Sequence, residues 1–128
     1  MHLQQPYKIL IVEDEIDITD LIRVTLMSPS YSITCVDTGA AALAALADEI
    51  PDLILLDILI PEPDGWEIYT TIRSNADFKN TRVIIMTALL LAPDFLKGKV
   101  ILPADKVMKK PFELDELAAN VKNILKAE

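Results

Sequence analysis

Short apolar blocks rich in β-branched residues recur along the chain, and segments with helical spacing lie between them. Each block is bounded by turn-forming residues, which is typical of buried strands. The blocks cover residues 9–12, 33–36, 53–56, 83–86 and, more weakly, 107–108. Strands that alternate with helices predict an α/β fold with a parallel sheet covered on both faces, and right-handed crossovers leave few topologies.

Apolar residues at helical spacing predict the helices between these strands. The first helix is expected to bury one face, made of Ile18, Leu21, Ile22, Thr25 and Leu26. Thr38 is well placed to cap the second helix and Asp64 the third, because both side chains can accept a backbone N–H bond. Residues 89–100 contain Pro93 and Gly98, which are unfavourable inside a helix, so we expect a short or irregular helix beginning at Pro93.

Composition narrows the class of protein. The 128 residues are 52% hydrophobic, which suits one folded domain over residues 1–128, with residues 1–6 as a flexible N-terminus. A net charge of -8 repels phosphate backbones, so no direct nucleic-acid partner is expected. No apolar run is long enough to cross a bilayer, so no membrane partner is expected either. The single cysteine, Cys35, cannot form an internal disulfide, which suits a cytoplasmic protein.

Charged and hydroxyl side chains follow the predicted strands: Glu13 and Asp14 follow the first, Asp57 the third, Thr87 the fourth and Lys110 the fifth. Ligands of open α/β sheets bind beyond the carboxyl ends of the strands, so these side chains are expected to share one site. Three carboxylates suit Mg²⁺, which uses few protein carboxylates and keeps waters and phosphate oxygens. A hydroxyl and an ammonium opposite such a cation are what an incoming phosphoryl group needs. The alternative for the acidic residues alone is a solvated rim.

Several motifs together resemble the receiver domain of bacterial two-component response regulators. They are residues 9–15, residues 51–57 followed by Pro61 and residues 64–66, residues 86–88, and residues 110–112. The resemblance spans nearly the whole chain, in order and with the family's spacing. It implies a flavodoxin-like, doubly wound (βα)5 three-layer sandwich whose five parallel strands have the order 2-1-3-4-5.

The resemblance assigns the phosphoacceptor and the metal ligands. Asp57 matches the aspartate that accepts a phosphoryl group from a histidine kinase or a histidine phosphotransfer protein. Glu13 and Asp14 match the acidic pair that binds Mg²⁺, and the backbone carbonyl of Leu59 completes that site. Such a domain is a signalling protein rather than an enzyme, although it catalyses its own phosphorylation and slow dephosphorylation.

The resemblance also assigns the groups that contact the phosphoryl oxygens. Thr87 matches the hydroxyl residue that moves toward the phosphate, Ala88 would contribute its backbone N–H, and Lys110 matches the lysine that contacts a phosphoryl oxygen. The family usually has a cis peptide at the position of Lys110-Pro111. Lys109 is expected to point away from the site, because side chains alternate along a strand.

Three departures from the family pattern concern signalling. Val107 stands where the family often has an aromatic residue that swings inward on activation. Pro103-Ala104-Asp105 stands where the family commonly has Gly-Ala-Asp, and the segment from Thr87 to Lys110 is longer than usual. The segment expected to form the fourth helix is unusually apolar, and its residues Leu90, Leu91 and Phe95 could pack in the core or be exposed for docking. In the family, the face of the fourth helix, fifth strand and fifth helix often carries output or dimer contacts, which leaves a downstream protein partner or a homodimer open.

A fourth feature concerns the lifetime of the phosphorylated form. In the family, the residues two positions after the acceptor and two after the hydroxyl residue influence hydrolysis of the phosphoaspartate. Here they are Leu59 and Leu89, which cannot hydrogen-bond an attacking water, so we expect a long-lived phosphorylated form.

Two other functional classes compete with this interpretation. A receiver-like module that binds a partner without phosphorylation would not need the complete set of acidic, hydroxyl and lysine residues. A nucleotide- or flavin-binding domain would need a phosphate cradle after the first strand, where residues 13–15 are all acidic. An aspartyl-phosphate hydrolase would normally carry a second aspartate at the position of Leu59.

Overall fold

A computed structural model describes residues 5–61, 63–87 and 105–126 of the chain. The strands are β1 (Tyr7–Val12), β2 (Tyr31–Val36), β3 (Leu53–Asp57), β4 (Arg82–Thr87) and β5 (Lys106–Lys109). The α-helices are α1 (Ile16–Leu26), α2 (Gly39–Asp48), α3 (Gly65–Ser74) and α4 (Leu114–Lys126), with a short 3₁₀ turn at Ala76–Phe78. The expected helix within residues 89–100 lies outside the described residues, as do residues 1–4 of the expected flexible N-terminus.

All neighbouring strands in the sheet are parallel, and their order is β2-β1-β3-β4-β5. The order predicted from the resemblance, and the flavodoxin-like α/β fold with it, is therefore confirmed. The chain runs outward from β1 to β2 and then crosses back to β3, so the strand order reverses between β1 and β3. That reversal opens a crevice above the carboxyl ends of these two strands, where ligands of such sheets bind.

The sheet separates two apolar cores because side chains alternate along each strand. Ile54 and Leu56 of β3 pack with the residues of α2 and α3, whereas Leu53 and Leu55 pack with those of α1 and α4. All four side chains are fully buried, so β3 is covered on both faces. The acceptor candidate Asp57 therefore ends the most buried strand of the sheet, which fixes its backbone firmly.

The helix starts follow the predicted capping pattern. The hydroxyl of Thr38 accepts a hydrogen bond from the Ala41 amide at 3.0 Å, and a carboxylate oxygen of Asp64 accepts one from the Glu67 amide at 2.9 Å. Both caps satisfy backbone donors that have no partner within the helix. The prediction of both caps is confirmed.

One expectation about α1 is wrong. Leu21 was predicted on the buried face, but its side chain is 55% exposed, and the buried positions are Thr19, Ile22 and Leu26. Leu21 lies one position before Ile22, which is a rotation of about 100° around the helix axis and carries it out of the contact with the sheet.

Among the described helices, none combines the length and the apolar character needed to span a bilayer.

Candidate functional site

Lys110 joins two buried carboxylates that are far apart in the sequence. Its Nζ donates to Glu13 Oε1 at 2.6 Å and to Asp57 Oδ2 at 3.0 Å. Glu13 is 1% exposed and Asp57 is 3% exposed, so both carboxylates have lost most of their contact with water. Buried carboxylates need such a partner because an unpaired buried charge is costly.

The strand register explains why these side chains meet. Val12 of β1 lies opposite Leu56 of β3, so the next residues, Glu13 and Asp57, leave the two strands side by side. The Glu13 amide still donates to the Val36 carbonyl of β2 at 3.1 Å, which continues the ladder beyond the end of β1. The convergence is thus a direct result of parallel strands that end at one edge of the sheet.

Backbone amides hold the two buried carboxylates from the other side. The Leu59 amide donates to Asp57 Oδ1 at 2.9 Å, and the Glu15 amide donates to Glu13 Oε2 at 3.2 Å. Each carboxylate therefore has one oxygen bound to a backbone N–H and the other bound to Lys110. This arrangement fixes the orientation of both side chains before any ligand arrives.

Asp14 completes an acidic cluster. One carboxylate oxygen from each of Glu13, Asp14 and Asp57 lies within 4.8 Å of the others. Asp14 is exposed whereas its two companions are buried, so the cluster has one side open to water. Hard oxygen donors with room for waters are the ligands that Mg²⁺ prefers, so the residues present fit this ion.

The pKa values of Glu13 and Lys110 are both raised, as expected where negative charge is in excess. Burial, reinforced by the nearby Asp57, raises the pKa of Glu13 to about 7, although the Lys110 ammonium opposes the shift. Burial would lower the pKa of Lys110, but its hydrogen bonds to Glu13 and Asp57 and their charges outweigh burial and raise it. A single ammonium thus compensates two carboxylates incompletely, and a divalent cation would relieve the remaining repulsion.

A sequence profile described as "Response regulator receiver domain" matches residues 9–122. This chain belongs to the response regulator receiver domain family. The protein named "Probable transcriptional regulator ycf27" of Guillardia theta is 33% identical over 124 residues, which are 97% of this chain and 47% of that protein. The chain therefore spans about half the length of the curated relatives it matches.

Solved structures agree with this family. A response regulator from Chloroflexus aurantiacus has a TM-score of 0.79 with 27% identity, covering 95% of this chain and 99% of that chain. The chemotaxis response regulator CheY4 of Vibrio cholerae has a TM-score of 0.81 with 25% identity, covering 94% of this chain and 99% of that chain. The comparison confirms the predicted family and fold of this receiver.

Thr87 and the two lysines of this receiver lie at the neighbouring strand ends. Thr87 is 1% exposed, and its carbonyl accepts a hydrogen bond from the Lys110 amide at 3.0 Å. Lys109 lies opposite Thr87 in the register and is exposed, whereas Lys110 turns toward the carboxylates. The peptide bond between Lys110 and Pro111 is cis, as the resemblance implied.

The remaining residues assigned from sequence fall into two groups. Val107 is half-buried, lies opposite Ile85 and packs against the core on the side of α2 and α3. Leu59 directs its amide to Asp57 while its side chain is 49% exposed. The residues outside the described ranges are Ala88, Leu89, Leu90, Leu91 and Phe95.

Sequence reasoning missed a buried ion pair at the start of β5. The Arg73 guanidinium binds both oxygens of Asp105, with nitrogen–oxygen distances of 2.7 and 2.9 Å, and the Tyr69 hydroxyl donates to Asp105 at 2.6 Å. Arg73 also donates to the carbonyls of Phe78 at 3.2 Å and Thr81 at 2.7 Å. These contacts tie the chain entering β5, the strand before Lys110, to α3. The signal in the sequence was an arginine on the otherwise apolar side of a helical segment.

Proposed function

We propose that this receiver accepts a phosphoryl group on Asp57 in a Mg²⁺-dependent reaction and signals through the change that follows. One observation carries the proposal: the Asp57 carboxylate lies in the acidic cluster and is held at once by Lys110 and by the Leu59 amide. A carboxylate ion that is fixed in this way is a ready nucleophile, since little reorganisation is needed before attack.

In the proposed transfer, a carboxylate oxygen of Asp57 attacks the phosphorus of a phosphohistidine on the donor protein. The new oxygen–phosphorus bond forms as the phosphorus–nitrogen bond breaks, and the imidazole leaves with the electron pair and takes a proton. The product is an acyl phosphate on Asp57. A Mg²⁺ ion held by Glu13, Asp14, Asp57 and the Leu59 carbonyl would supply positive charge to the phosphoryl oxygens.

Lys110 and Thr87 have separate roles in this proposal. Before transfer, the Lys110 ammonium pairs with Asp57 and Glu13. After transfer, it would contact a phosphoryl oxygen and neutralise its charge. The buried Thr87 hydroxyl and the backbone N–H of Ala88 would donate hydrogen bonds to the other phosphoryl oxygens. These new hydrogen bonds would change the conformation at the end of β4, and that conformational change is the start of the proposed signal.

We propose that the phosphoryl donor, a histidine kinase or a histidine phosphotransfer protein, docks in a groove beside the acceptor. The groove has a volume of about 660 Å³ and runs between α1 and the start of α4. Its lining includes the apolar residues Ile18, Leu21, Ile22, Phe112 and Leu114 and the charged residues Lys110, Glu15, Glu113 and Asp115. An apolar lining with acidic groups fits a helical donor that has an apolar stripe and basic flanks.

The downstream partner and the cellular setting also belong to this proposal. We propose that output contacts, or contacts of a homodimer, lie on the face that includes β5 and the helix that follows it, α4. Without an aromatic residue at position 107, the signal would pass through Thr87 and backbone movement rather than a coupled aromatic rotamer. We take residues 1–128 as one receiver domain that works in the cytoplasm, and its free Cys35 is consistent with a reducing compartment.

Beryllofluoride with Mg²⁺ tests the proposed chemistry, because this inorganic mimic occupies the phosphoryl position on an aspartate. We expect a change in Trp66 fluorescence in the wild type that is lost in Asp57→Asn. Asp52→Asn is the matched control, since Asp52 directly precedes β3 at its amino-terminal end, whereas Asp57 ends the strand. An equal response in Asp57→Asn would contradict the assignment, and no response in any protein would favour the module that binds without phosphorylation.

A further inference from the structure

The loop that follows β3 positions the acceptor carboxylate, and the structure describes its residues 58–61, 63 and 64. Its Leu59 amide holds Asp57 Oδ1, and its Leu59 carbonyl is the proposed metal ligand. Ile58 and Ile60 anchor the loop in the core with exposures of 1% and 6%, whereas Leu59 between them faces outward. The two buried isoleucines hold the loop against the core on either side of Leu59.

Gly39, the first residue of α2, determines how deeply this loop can sit. A Cβ atom at position 39 would lie 1.8 Å from the carbonyl oxygen of Pro63 and 2.8 Å from its nitrogen and carbonyl carbon. The Gly39 amide also donates to the Pro61 carbonyl at 3.2 Å. The atoms that a side chain would strike belong to the backbone, so they cannot rotate away. Gly39 is thus required by close approach of two backbones.

A second glycine touches the same loop from its other end. A Cβ atom on Gly65 would lie 2.4 Å from the Asp57 carbonyl oxygen and 2.4 Å from Ile58 Cα, and the Gly65 amide donates to the Ile58 carbonyl at 3.0 Å. Gly65 follows the loop directly, so its contact is local. Gly39 comes from another element and is therefore the contact that couples α2 to the acceptor loop.

We propose that Gly39 is a positioning residue for the phosphoacceptor site, acting through the loop and not through any contact with ligand. With no side chain at position 39, Pro61 and Pro63 rest on the start of α2, and Leu59 reaches Asp57. The inference rests on the proposed function for the metal role of Leu59. Its geometric part, the placement of the Leu59 amide, stands on the hydrogen bond to Asp57 alone.

The expected effect of a side chain at position 39 follows from the size of the clash. The clash at 1.8 Å must open to an ordinary contact of at least 3.4 Å, so the Pro63 carbonyl and the start of α2 must move apart by about 1.6 Å. Loss of the groups that orient a metal ligand typically weakens metal binding by about 10–100-fold. For Gly39→Ala we therefore expect the Leu59 amide to lose its hydrogen bond to Asp57 and the Mg²⁺ affinity to fall by about tenfold or more.

A merely structural role for Gly39 at the start of α2 makes a different prediction. Thr38→Ala is the matched control, because it removes the capping hydrogen bond to the Ala41 amide and weakens the same helix start without touching the loop. A structural role would give both variants the same Mg²⁺ affinity as the wild type once each is folded. A positioning role separates them.

Two readouts test the proposal on the full chain. The first is hydrogen exchange of the Leu59 amide in the metal-free protein, and the second is the dissociation constant for Mg²⁺ alone, followed by Trp66 fluorescence. We expect Gly39→Ala to exchange Leu59 faster and to bind Mg²⁺ at least about tenfold more weakly, while Thr38→Ala matches the wild type in both. Unchanged Leu59 exchange and Mg²⁺ binding within about twofold in Gly39→Ala overturn the proposal.

If Gly39→Ala does not fold, hydrogen exchange in the wild type decides the question. The Gly39 amide donates to the Pro61 carbonyl and the Leu59 amide donates to Asp57, so a positioning role requires the two amides to open together, with the same opening free energy in a denaturant series. A Leu59 amide that opens while the Gly39 amide stays protected overturns the proposal. If the wild type itself fails to bind Mg²⁺, the proposed function fails, and Leu59 exchange still tests the placement of the loop.

Discussion

Lys110 lies closer to Glu13 than to Asp57: its Nζ is 2.6 Å from Glu13 Oε1 and 3.0 Å from Asp57 Oδ2. The ammonium thus serves both the proposed metal ligand and the proposed acceptor before any ligand binds. Once the metal takes over the charge of Glu13, Lys110 would be free to follow the phosphoryl group on Asp57. The same side chain can therefore stabilise the resting site and the transferred group in turn.

Replacing Lys110 should separate these two tasks. In Lys110→Ala we expect phosphorylation by acetyl phosphate to slow by about a hundredfold, because one preorganised contact to the developing charge is lost. Mg²⁺ affinity should be retained or increase, because a competing cation has been removed. Lys109→Ala is the control, since Lys109 ends β5 directly before Lys110 and is exposed. A normal phosphorylation rate in Lys110→Ala would contradict this role.

The raised pKa of Glu13 predicts how the stability of the metal-free protein depends on pH. The ordinary pKa of 4.5 describes the unfolded chain, whereas the folded pKa is about 7, so the folded protein holds this proton more tightly. The benefit is complete below about pH 4.5 and is lost as the pH rises through 7. Since each pKa unit corresponds to about 1.4 kcal/mol, the shift from 4.5 to about 7 corresponds to a loss of about 3–4 kcal/mol once the pH exceeds the folded pKa.

Urea unfolding in EDTA, followed as a function of pH, measures this loss. Glu13→Gln should remove most of the decline between pH 4.5 and 7, whereas Glu15→Gln, at an exposed neighbouring position, should leave it in place. Parallel stability curves for the wild type and Glu13→Gln over this window would show that Glu13 does not titrate as the structure indicates.

The buried ion pair of Arg73 and Asp105 should contribute far more to stability than an exposed one. The side chains of Arg73 and Asp105 are 15% and 1% exposed, whereas those of the Arg23 and Asp20 pair are 51% and 54% exposed. Arg73→Ala leaves Asp105 buried without its cation, so the free energy of unfolding should fall by about 3–5 kcal/mol. Arg23→Ala should cost less than about 1 kcal/mol. Equal costs in urea unfolding would refute the comparison.

Leu59 should prolong the life of the phosphorylated form. Its side chain is 49% exposed, two positions after Asp57, and it can neither donate nor accept a hydrogen bond to orient an attacking water. Leu59→Asn should speed dephosphorylation about tenfold or more by supplying a polar group there. Decay of labelled protein in Mg²⁺ measures the rate. A wild-type lifetime of seconds, or no acceleration in the variant, would rule this out.

The sequence predicted the sheet well because its signals are local. Short β-branched blocks identify each strand, and residues such as Thr38 and Asp64 mark helix starts through their own side chains. The strand order came from the resemblance to the family, since periodicity alone does not determine it. The meeting of Glu13, Asp57 and Lys110 was expected because each follows a predicted strand, and the resemblance added their individual roles. Leu21 was wrongly assigned to the buried face of α1. Leu21 and Ile22 are both apolar and adjacent, and helical spacing alone does not decide which of them faces the sheet.

Other contacts between distant segments could not be predicted from the sequence. Arg73 and Asp105 are 32 positions apart, and no local pattern pairs them. The same applies to Gly39, where a side chain is excluded by the carbonyl of Pro63 in the loop between β3 and α3. The pKa of Glu13 likewise depends on burial and on Asp57, neither of which is visible before the chain is folded. Such features follow from three-dimensional proximity.

Site mapping after treatment with acetyl phosphate tests whether Asp57 is a Mg²⁺-dependent phosphoacceptor. The protein is incubated with acetyl phosphate in Mg²⁺ or in EDTA, and the modified residue is located by peptide mass spectrometry. We predict one phosphoryl group, on Asp57, formed in Mg²⁺ and not in EDTA, and absent from Asp57→Asn. Modification of a different residue, or undiminished modification of Asp57 in EDTA, would contradict the account.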